Sequence, residues 1–378
     1  MFNKRARSNP QDLLFPRKDN VQPPIPSSDD LLRQVVVDPT AVGNFLFGGY
    51  VVSEGLRRVL ELIGRPLDSF QQVLDFGCGS ARVLRWFRDC SESTRFFGSD
   101  INAEAIKWCQ KNISFAEFTV NAPKPPLNFP KESFDLIYGI SIVTHLDEEF
   151  QLLWLEELKR LCKPGGIIIL TVHGEDVVPM QLSSEQASQY RKKGHFYLRV
   201  VEKGGVDGLP DFYQVAYHSR EYVESIWSKY FRLLLYMRHG PAYLQDTVVM
   251  QKAVEGPQSS NTRHPSYIYL DLPIGVFDSP KIADVVTGKT LNVSGWSFHP
   301  DGGSVSMDLW IDGKRVGTCL ADNMTPGIIQ TFPVYLSSVK CGFSTTVSIA
   351  DLDKGPHRLY AAPRTSLVPS TATYFFKE

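Results

Sequence analysis

Asp75, the turn Gly77-Cys78-Gly79 and Asp100 are the residues whose types and spacing could do chemistry in this chain. They sit in Val73-Leu74-Asp75-Phe76-Gly77-Cys78-Gly79-Ser80, an apolar stretch that runs into a glycine-rich turn. Glycine adopts positive φ without a steric penalty and lets the backbone approach a bound group with no Cβ in the way. A helix is expected to open near Ser80, and its free N–H groups would suit an anion such as a carboxylate. A second stretch, Arg95 to Ser99, ends at Asp100, about 20 residues after the glycines, where a carboxylate can accept hydrogen bonds from a ribose. The pattern predicts a nucleoside-cofactor site. A tight strand-to-helix turn with no ligand is the alternative, and Asp100 weighs against it.

Two histidines follow later strands: His145 in Ile142-Val143-Thr144-His145-Leu146 and His173 in Thr171-Val172-His173-Gly174-Glu175. Imidazole titrates near neutral pH, so each is a candidate general base, and each could equally be a hydrogen bonder that fixes a loop. Glu175, His195, Tyr213 and His218 are weaker candidates.

These residues need strands and helices to hold them. Residues 1–44 read as an irregular extension rich in Pro, Asn and basic residues. The aromatic and glycine-rich segment 42–50 is expected to fold over a cofactor or to staple a helix over roughly Val52–Ile63. Strands then alternate with helices: Val73–Phe76, a helix over Ser80–Asp89, Arg95–Ser99, a helix capped by Asn102, Phe115–Val120, Phe134–Gly139, a helix from Glu148 capped by Asp147. Ile167-Ile168-Ile169-Leu170 has the unbroken apolar character of a strand buried on both faces of a parallel sheet. An insertion at 174–218 is long enough to be a lid or substrate region, with a hairpin expected around Gly204, Gly205 and Gly208. A helix over Ser219–Tyr230 and strands Arg232–Arg238 and Gln245–Lys252 close the domain at 254; 255–271 reads as a linker. From 272 to 378 the period changes to two, as in Val305, Met307, Leu309 and Ile311, and Asp312-Gly313 marks a hairpin turn; no helical pattern competes. The expectation is an α/β domain over 45–254, with a Rossmann-like sheet, followed by an all-β immunoglobulin-like sandwich.

In the dinucleotide fingerprint a third glycine packs helix against strand; here Arg82 takes that position, which weakens the NAD reading. With Asp75 ahead of the glycines, the segment resembles the first motif of class I S-adenosylmethionine-dependent methyltransferases, and the likeness extends over most of 45–253. The resemblance implies S-adenosylmethionine as cofactor and a sheet whose last strand is antiparallel. It implies that Gly77, Cys78 and Gly79 hold the methionine portion, Asp100 the ribose, with Ile101 beside the adenine. Asn121 stands where such enzymes often place an aspartate near the adenine amine, and Ser141 lies just past the fourth strand, where ligands bind in α/β sheets. The C-terminal stretch Val293-Ser294-Gly295-Trp296-Ser297-Phe298-His299 is similar to a β-sandwich module attached to bacterial enzymes of surface-polysaccharide assembly. That likeness implies a sugar or glycan acceptor. A small-molecule natural product is the alternative acceptor, and a non-catalytic glycan-binding scaffold with a relic cofactor fold the alternative class; Trp296 could also simply pack a core or a dimer interface.

Lys and Arg number 40 against 41 Asp and Glu, so no general attraction to nucleic acid or anionic membrane is expected. The Asn-Pro-Pro-aromatic signature of amino-methylating nucleic-acid enzymes does not occur after the fourth strand, where the chain reads Ile140-Ser141-Ile142. The six cysteines are scattered without CxxC spacing, which fits reduced thiols in the cytoplasm and no metal site; a Cys319–Cys341 pair has no support. No apolar run reaches membrane-spanning length, and homo-oligomerisation through the β-domain is compatible with the sequence.

Overall fold

The computed structural model describes residues 25–26, 42–200, 212–240, 244–254, 267–281, 284–335, 340–363 and 371–378. The expected irregular extension therefore lies largely outside the described residues, as do the glycines of the insertion's expected hairpin turn and most of the expected linker. The chain divides into two compact units, 26–272 and 273–378.

The first unit begins with helix α1 (Val42–Leu62), which starts ten residues earlier than the sequence suggested. The aromatic–glycine segment is part of this helix. Its glycines serve a close approach: a Cβ on Gly49 would stand 2.1 Å from the Arg82 carbonyl oxygen. Phe45, Tyr50, Leu56, Val59 and Leu60 recur at helical spacing and are buried.

The sheet has eight strands. They are β1 (Gln72–Phe76), β2 (Arg95–Asp100), β3 (Ala116–Val120), β4 (Phe134–Gly139), β5 (Cys162–Val172), β8 (Arg232–Arg238), β9 (Asp246–Gln251) and β10 (Ile268–Asp271). Their order is β10-β8-β9-β5-β4-β1-β2-β3. Strands β1 to β5 pair in parallel, while β9 runs antiparallel to both β5 and β8, as the sequence resemblance implied. Ile167, Ile168, Ile169 and Leu170 are fully buried, each side chain being worth about 1.5–3 kcal/mol against exposure. Strand β10 corrects the linker expectation for 268–271: it extends the sheet edge in parallel beside β8. Its residues are exposed or half-buried, so no apolar run announced it.

Helices α2 (Ala103–Asn112) and α3 (Glu148–Leu161) are capped as expected: Asn102 accepts from the Ala105 N–H and Asp147 from the Phe150 N–H at 2.9 Å. The helix expected over Ser80–Asp89 is instead an irregular turn followed by a 3-10 helix, Leu84–Cys90. Ala81 has φ +57°, which breaks any helix in its first turn.

The insertion is a small structured unit. Helix α4 (Ser184–Lys193) carries a Ser183/Gln186 capping box and ends on Gly194 in the left-handed region. Strands β6 (His195–Leu198) and β7 (Val215–His218) pair antiparallel, and Val177, Val178, Leu182, Tyr190 and Tyr217 form a core beneath them. Helix α5 (Arg220–Ile226) follows and continues as a 3-10 turn to Lys229.

The second unit holds a three-stranded sheet and a five-stranded sheet over one shared core that includes Phe277, Val293, Met307, Leu309, Leu359 and Phe375. Trp296 is buried among Phe298 and Phe332, so this tryptophan packs the unit's interior. A short helix, Pro326–Thr331, interrupts the all-β expectation. All six cysteines are free, Cys319 and Cys341 included. No helix among the described residues is long and apolar enough to cross a membrane.

Candidate cofactor and methyl-transfer site

The residues singled out by sequence converge on the carboxyl ends of the parallel strands. Asp75 lies near the end of β1, and the chain turns at Gly77 and Gly79, both with positive φ (+76° and +50°). The Gly77 and Cys78 N–H groups donate to the Ser99 carbonyl, which ties the turn to β2. A Cβ on Gly77 would meet the Ile142 side chain at 2.0 Å, so the turn packs against the loop after β4.

Asp100, at the end of β2, accepts from the Gly79 N–H at 2.7 Å and from the Asn102 N–H at 2.8 Å. The glycine turn thus fixes the carboxylate itself; with the expected helix replaced by a turn, no helix N-terminus forms there. The Ile101 N–H also bonds this carboxylate, whose two oxygens together offer about four lone-pair sites, so acceptor capacity remains for a ligand hydroxyl. Ile101 follows it, half-buried. Asn121 stands just past β3, its Oδ1 accepting from the Ser99 hydroxyl at 2.7 Å and its amide donating to the Ala122 carbonyl. Ser141, with φ +59°, donates its N–H to Thr171 Oγ1, and its hydroxyl pairs with the Gln245 side-chain amide. Thr171 and Gln245 carry no sequence signal for this role. The Cys78 thiol is buried and its ionisation pushed well up by that burial.

Asp75 is the buried acid of the site. Burial pushes its carboxyl up to about 8, while the Tyr138 hydroxyl and the Arg82 guanidinium nearby act in the opposite sense and the Asp100 charge adds to the rise. A ligand bringing positive charge to the glycine turn would favour its ionised form. Binding of such a ligand near pH 7 is therefore expected to release a fraction of a proton. Calorimetry in two buffers of different ionisation enthalpy measures this: the apparent enthalpy should shift in the wild type and not in Asp75→Asn.

His145 ends the 3-10 turn after β4, and His173 follows β5. Each points its Nδ1 at a backbone carbonyl of the insertion's return segment: His145 to Gln214, just before β7, at 2.6 Å and His173 to Ala216, within β7, at 3.1 Å. A carbonyl can only accept, so both rings carry their proton on Nδ1 and leave Nε2 as a bare lone pair. Neither Nε2 has a hydrogen-bond partner among the described residues. The rings lie 6.3 Å apart, edge to face, and burial lowers both to about 4. Being neutral when folded, they contribute stability that is complete above about pH 6.5 and is lost as pH falls toward 4.

The weaker candidates separate. Tyr213 stacks on His145 and belongs to the site. His218 is buried, its Nε2 2.5 Å from the Gln151 amide, whose oxygen accepts from the Trp227 indole; it organises the core under α3. His195 pairs opposite it and is also buried. Glu175 is exposed, with Arg220 and Glu221 nearby.

Residues 74–170 match the methyltransferase domain family. A tRNA (carboxymethyluridine(34)-5-O)-methyltransferase of Arabidopsis thaliana is 33% identical over 110 residues, 28% of this chain and 25% of that protein. A malonyl-[acyl-carrier protein] O-methyltransferase of Enterobacter lignolyticus is 26% identical over 114 residues, 30% of this chain and 43% of that protein. The chain thus spans less than half the length of either relative. Among solved structures, a 1,6-didemethyltoxoflavin-N1-methyltransferase from Burkholderia thailandensis is 14% identical, covering 63% of this chain and 99% of that one, with a TM-score of 0.41. The strand order, the glycine turn, Asp100 and the family match agree: the chain carries a class I S-adenosylmethionine-dependent methyltransferase domain, with S-adenosylmethionine as its cofactor.

Proposed function

We propose that this protein methylates a hydroxyl oxygen of a sugar or glycan, with the cofactor held by Asp75, Gly77, Cys78, Gly79, Asp100, Ile101, Asn121 and Ser141. The cofactor supplies a methyl group made electrophilic by its sulfonium. The chain supplies a place to hold the acceptor in line and a base to take the hydroxyl proton. The observation that carries this reading is the tautomer lock on His145 and His173, which leaves two neutral Nε2 acceptors beside the cofactor strands. A hydroxyl needs such a base; a carboxylate acceptor would not.

The sugar assignment draws on the second unit, which we read as a β-sandwich. In strand Val305–Ile311 the alternate residues Val305, Met307, Leu309 and Ile311 enter the core, so Trp310 lies on the opposite face. There it pairs across strands with Tyr360, the rings 6.1 Å apart and within 3° of parallel, beside the Asp308–Arg315 ion pair. A flat aromatic surface with polar groups at its rim suits the C–H face and hydroxyls of a pyranose. The relatives' names point to tRNA and to an acyl-carrier protein, so the shared domain does not by itself set the acceptor. A small-molecule acceptor is the second reading, favoured by the way the insertion packs over the two imidazoles.

The test is transfer of labelled methyl from S-adenosylmethionine to a panel of oligosaccharides and small phenols, with His145→Ala and His173→Ala alongside. Losing the base should cost about 10²–10⁴ in turnover. The acid limb of the wild-type pH profile should fall near 4, well below the usual imidazole value. Full turnover in both variants would overturn the base assignment. Methylation of the phenols alone would overturn the sugar reading.

A further inference from the structure

Tyr213 enters the site from the insertion, and no motif surrounds it. Its ring lies on the His145 imidazole with centroids 3.8 Å apart and planes within 17° of parallel. Burial, and after it the negative charge of Asp100, opposes ionisation of the phenol. Yet the residue is only half-buried, and its hydroxyl has no partner among the described residues.

The segment that carries it, leading into β7, is held firmly. Gln214 and Ala216 offer their carbonyls to the two imidazoles, and the His218 N–H donates to the His173 carbonyl at 2.9 Å. His145 covers one face of the Tyr213 ring, and the ring remains accessible elsewhere. The face of an aromatic ring carries negative charge and attracts cations. S-adenosylmethionine is a cation at sulfur, whereas the product left after transfer is a neutral thioether.

We propose that Tyr213 is a positioning residue that recognises the sulfonium charge, its ring stacked on the imidazole of the candidate base His145. Tyr213 then favours the methyl-bearing cofactor over the spent one, and it ties that preference to the segment that sets both histidine tautomers. The inference rests on the cofactor assignment above. A tyrosine that merely packed on His145 would not distinguish the charged ligand from the neutral one.

Calorimetric titration of the full chain with S-adenosylmethionine and S-adenosylhomocysteine, on wild type, Tyr213→Phe and Tyr213→Leu, tests this. The leucine variant should lose about tenfold more affinity for the sulfonium ligand than for the thioether, and the phenylalanine variant should keep the wild-type preference. Tyr213→Met, which also lacks a ring, repeats the measurement if the leucine variant does not fold. Equal losses for the two ligands, or no loss for either, would overturn the proposal, as would a selective loss in the phenylalanine variant, which points to the hydroxyl. A wild type that binds neither ligand removes the cofactor assignment together with this inference; a wild type that binds both without a charge-dependent effect of Tyr213 removes the inference alone.

Discussion

Asp176→Ala is expected to destabilise the protein by about 3–5 kcal/mol, because it strips the shared anion from one half-buried and one buried cation. Asp176 accepts from Arg238 Nε at 2.6 Å and from the far end of the same guanidinium at 2.5 Å, and from His239 Nε2 at 2.7 Å. His239 Nδ1 meets the Leu272 carbonyl, so this ring is held between two acceptors and favours its doubly protonated form. Arg238 also donates to Asp271 at 3.0 Å. The network joins the start of the insertion to the end of β8 and the edge strand β10. His173 lies three positions before Asp176, so loosening this joint should also disturb the tautomer lock.

The network has a pH signature. The Arg238 and His239 hydrogen bonds outweigh burial and hold the Asp176 carboxyl well below the usual range, so its contribution is present above about pH 3.9 and lost as pH falls through the depressed value. Although burial acts against it, the Asp176 partner raises His239, whose contribution is complete below about pH 6.5 and fades as pH rises through the elevated value. Thermal melts of wild type and variant should therefore differ most between about pH 4 and 6.5, and less in alkali. A difference that is the same at all pH values would contradict the account of His239.

Gly77→Val is expected to abolish cofactor binding and to cost several kcal/mol of stability. Two effects add. A β-branched residue at φ +76° is a steric outlier, and a Cβ there would lie 2.0 Å from Ile142 Cδ1. Gly64→Ala is the matched control: its φ is +71°, but nothing lies within 4 Å of the added carbon. That control should lose only about 1–2 kcal/mol and keep full affinity for the cofactor. Denaturant melts and ligand titration on both variants separate the two cases; a Gly77 variant that binds as tightly as the wild type would show that the turn does not approach the ligand.

Much of the candidate site's scaffold was legible because a tight turn between short strands demands particular residues at a particular spacing. The two glycines and Asp100 lie close in sequence, and the strands that carry them are short apolar runs. What could not be read depended on contacts between distant residues. Ala81 at positive φ looks like an ordinary helix former, so the helix over 80–89 was expected where a turn stands. Gly48 and Gly49 lowered the apparent helix propensity of a segment that must be slim, Gly48 beside the Arg82 guanidinium and Gly49 beside the Arg82 backbone. The contact of Tyr213 with His145 and the ion network around Asp176 join residues more than 60 positions apart, with no local pattern to announce them. Strand β10 alternates too weakly to be told from a linker until β8 is beside it.

The central claim is that Asp100, set by the glycine turn, holds the cofactor's ribose. Titration of wild type and Asp100→Ala with S-adenosylhomocysteine, with NAD in parallel, tests it most directly. The account predicts saturable binding to the wild type, none of NAD, and a loss in the variant of about 1.5–3 kcal/mol, the usual worth of hydrogen bonds to a charged group. Undiminished binding in the variant, or binding of NAD in place of S-adenosylhomocysteine, would contradict it.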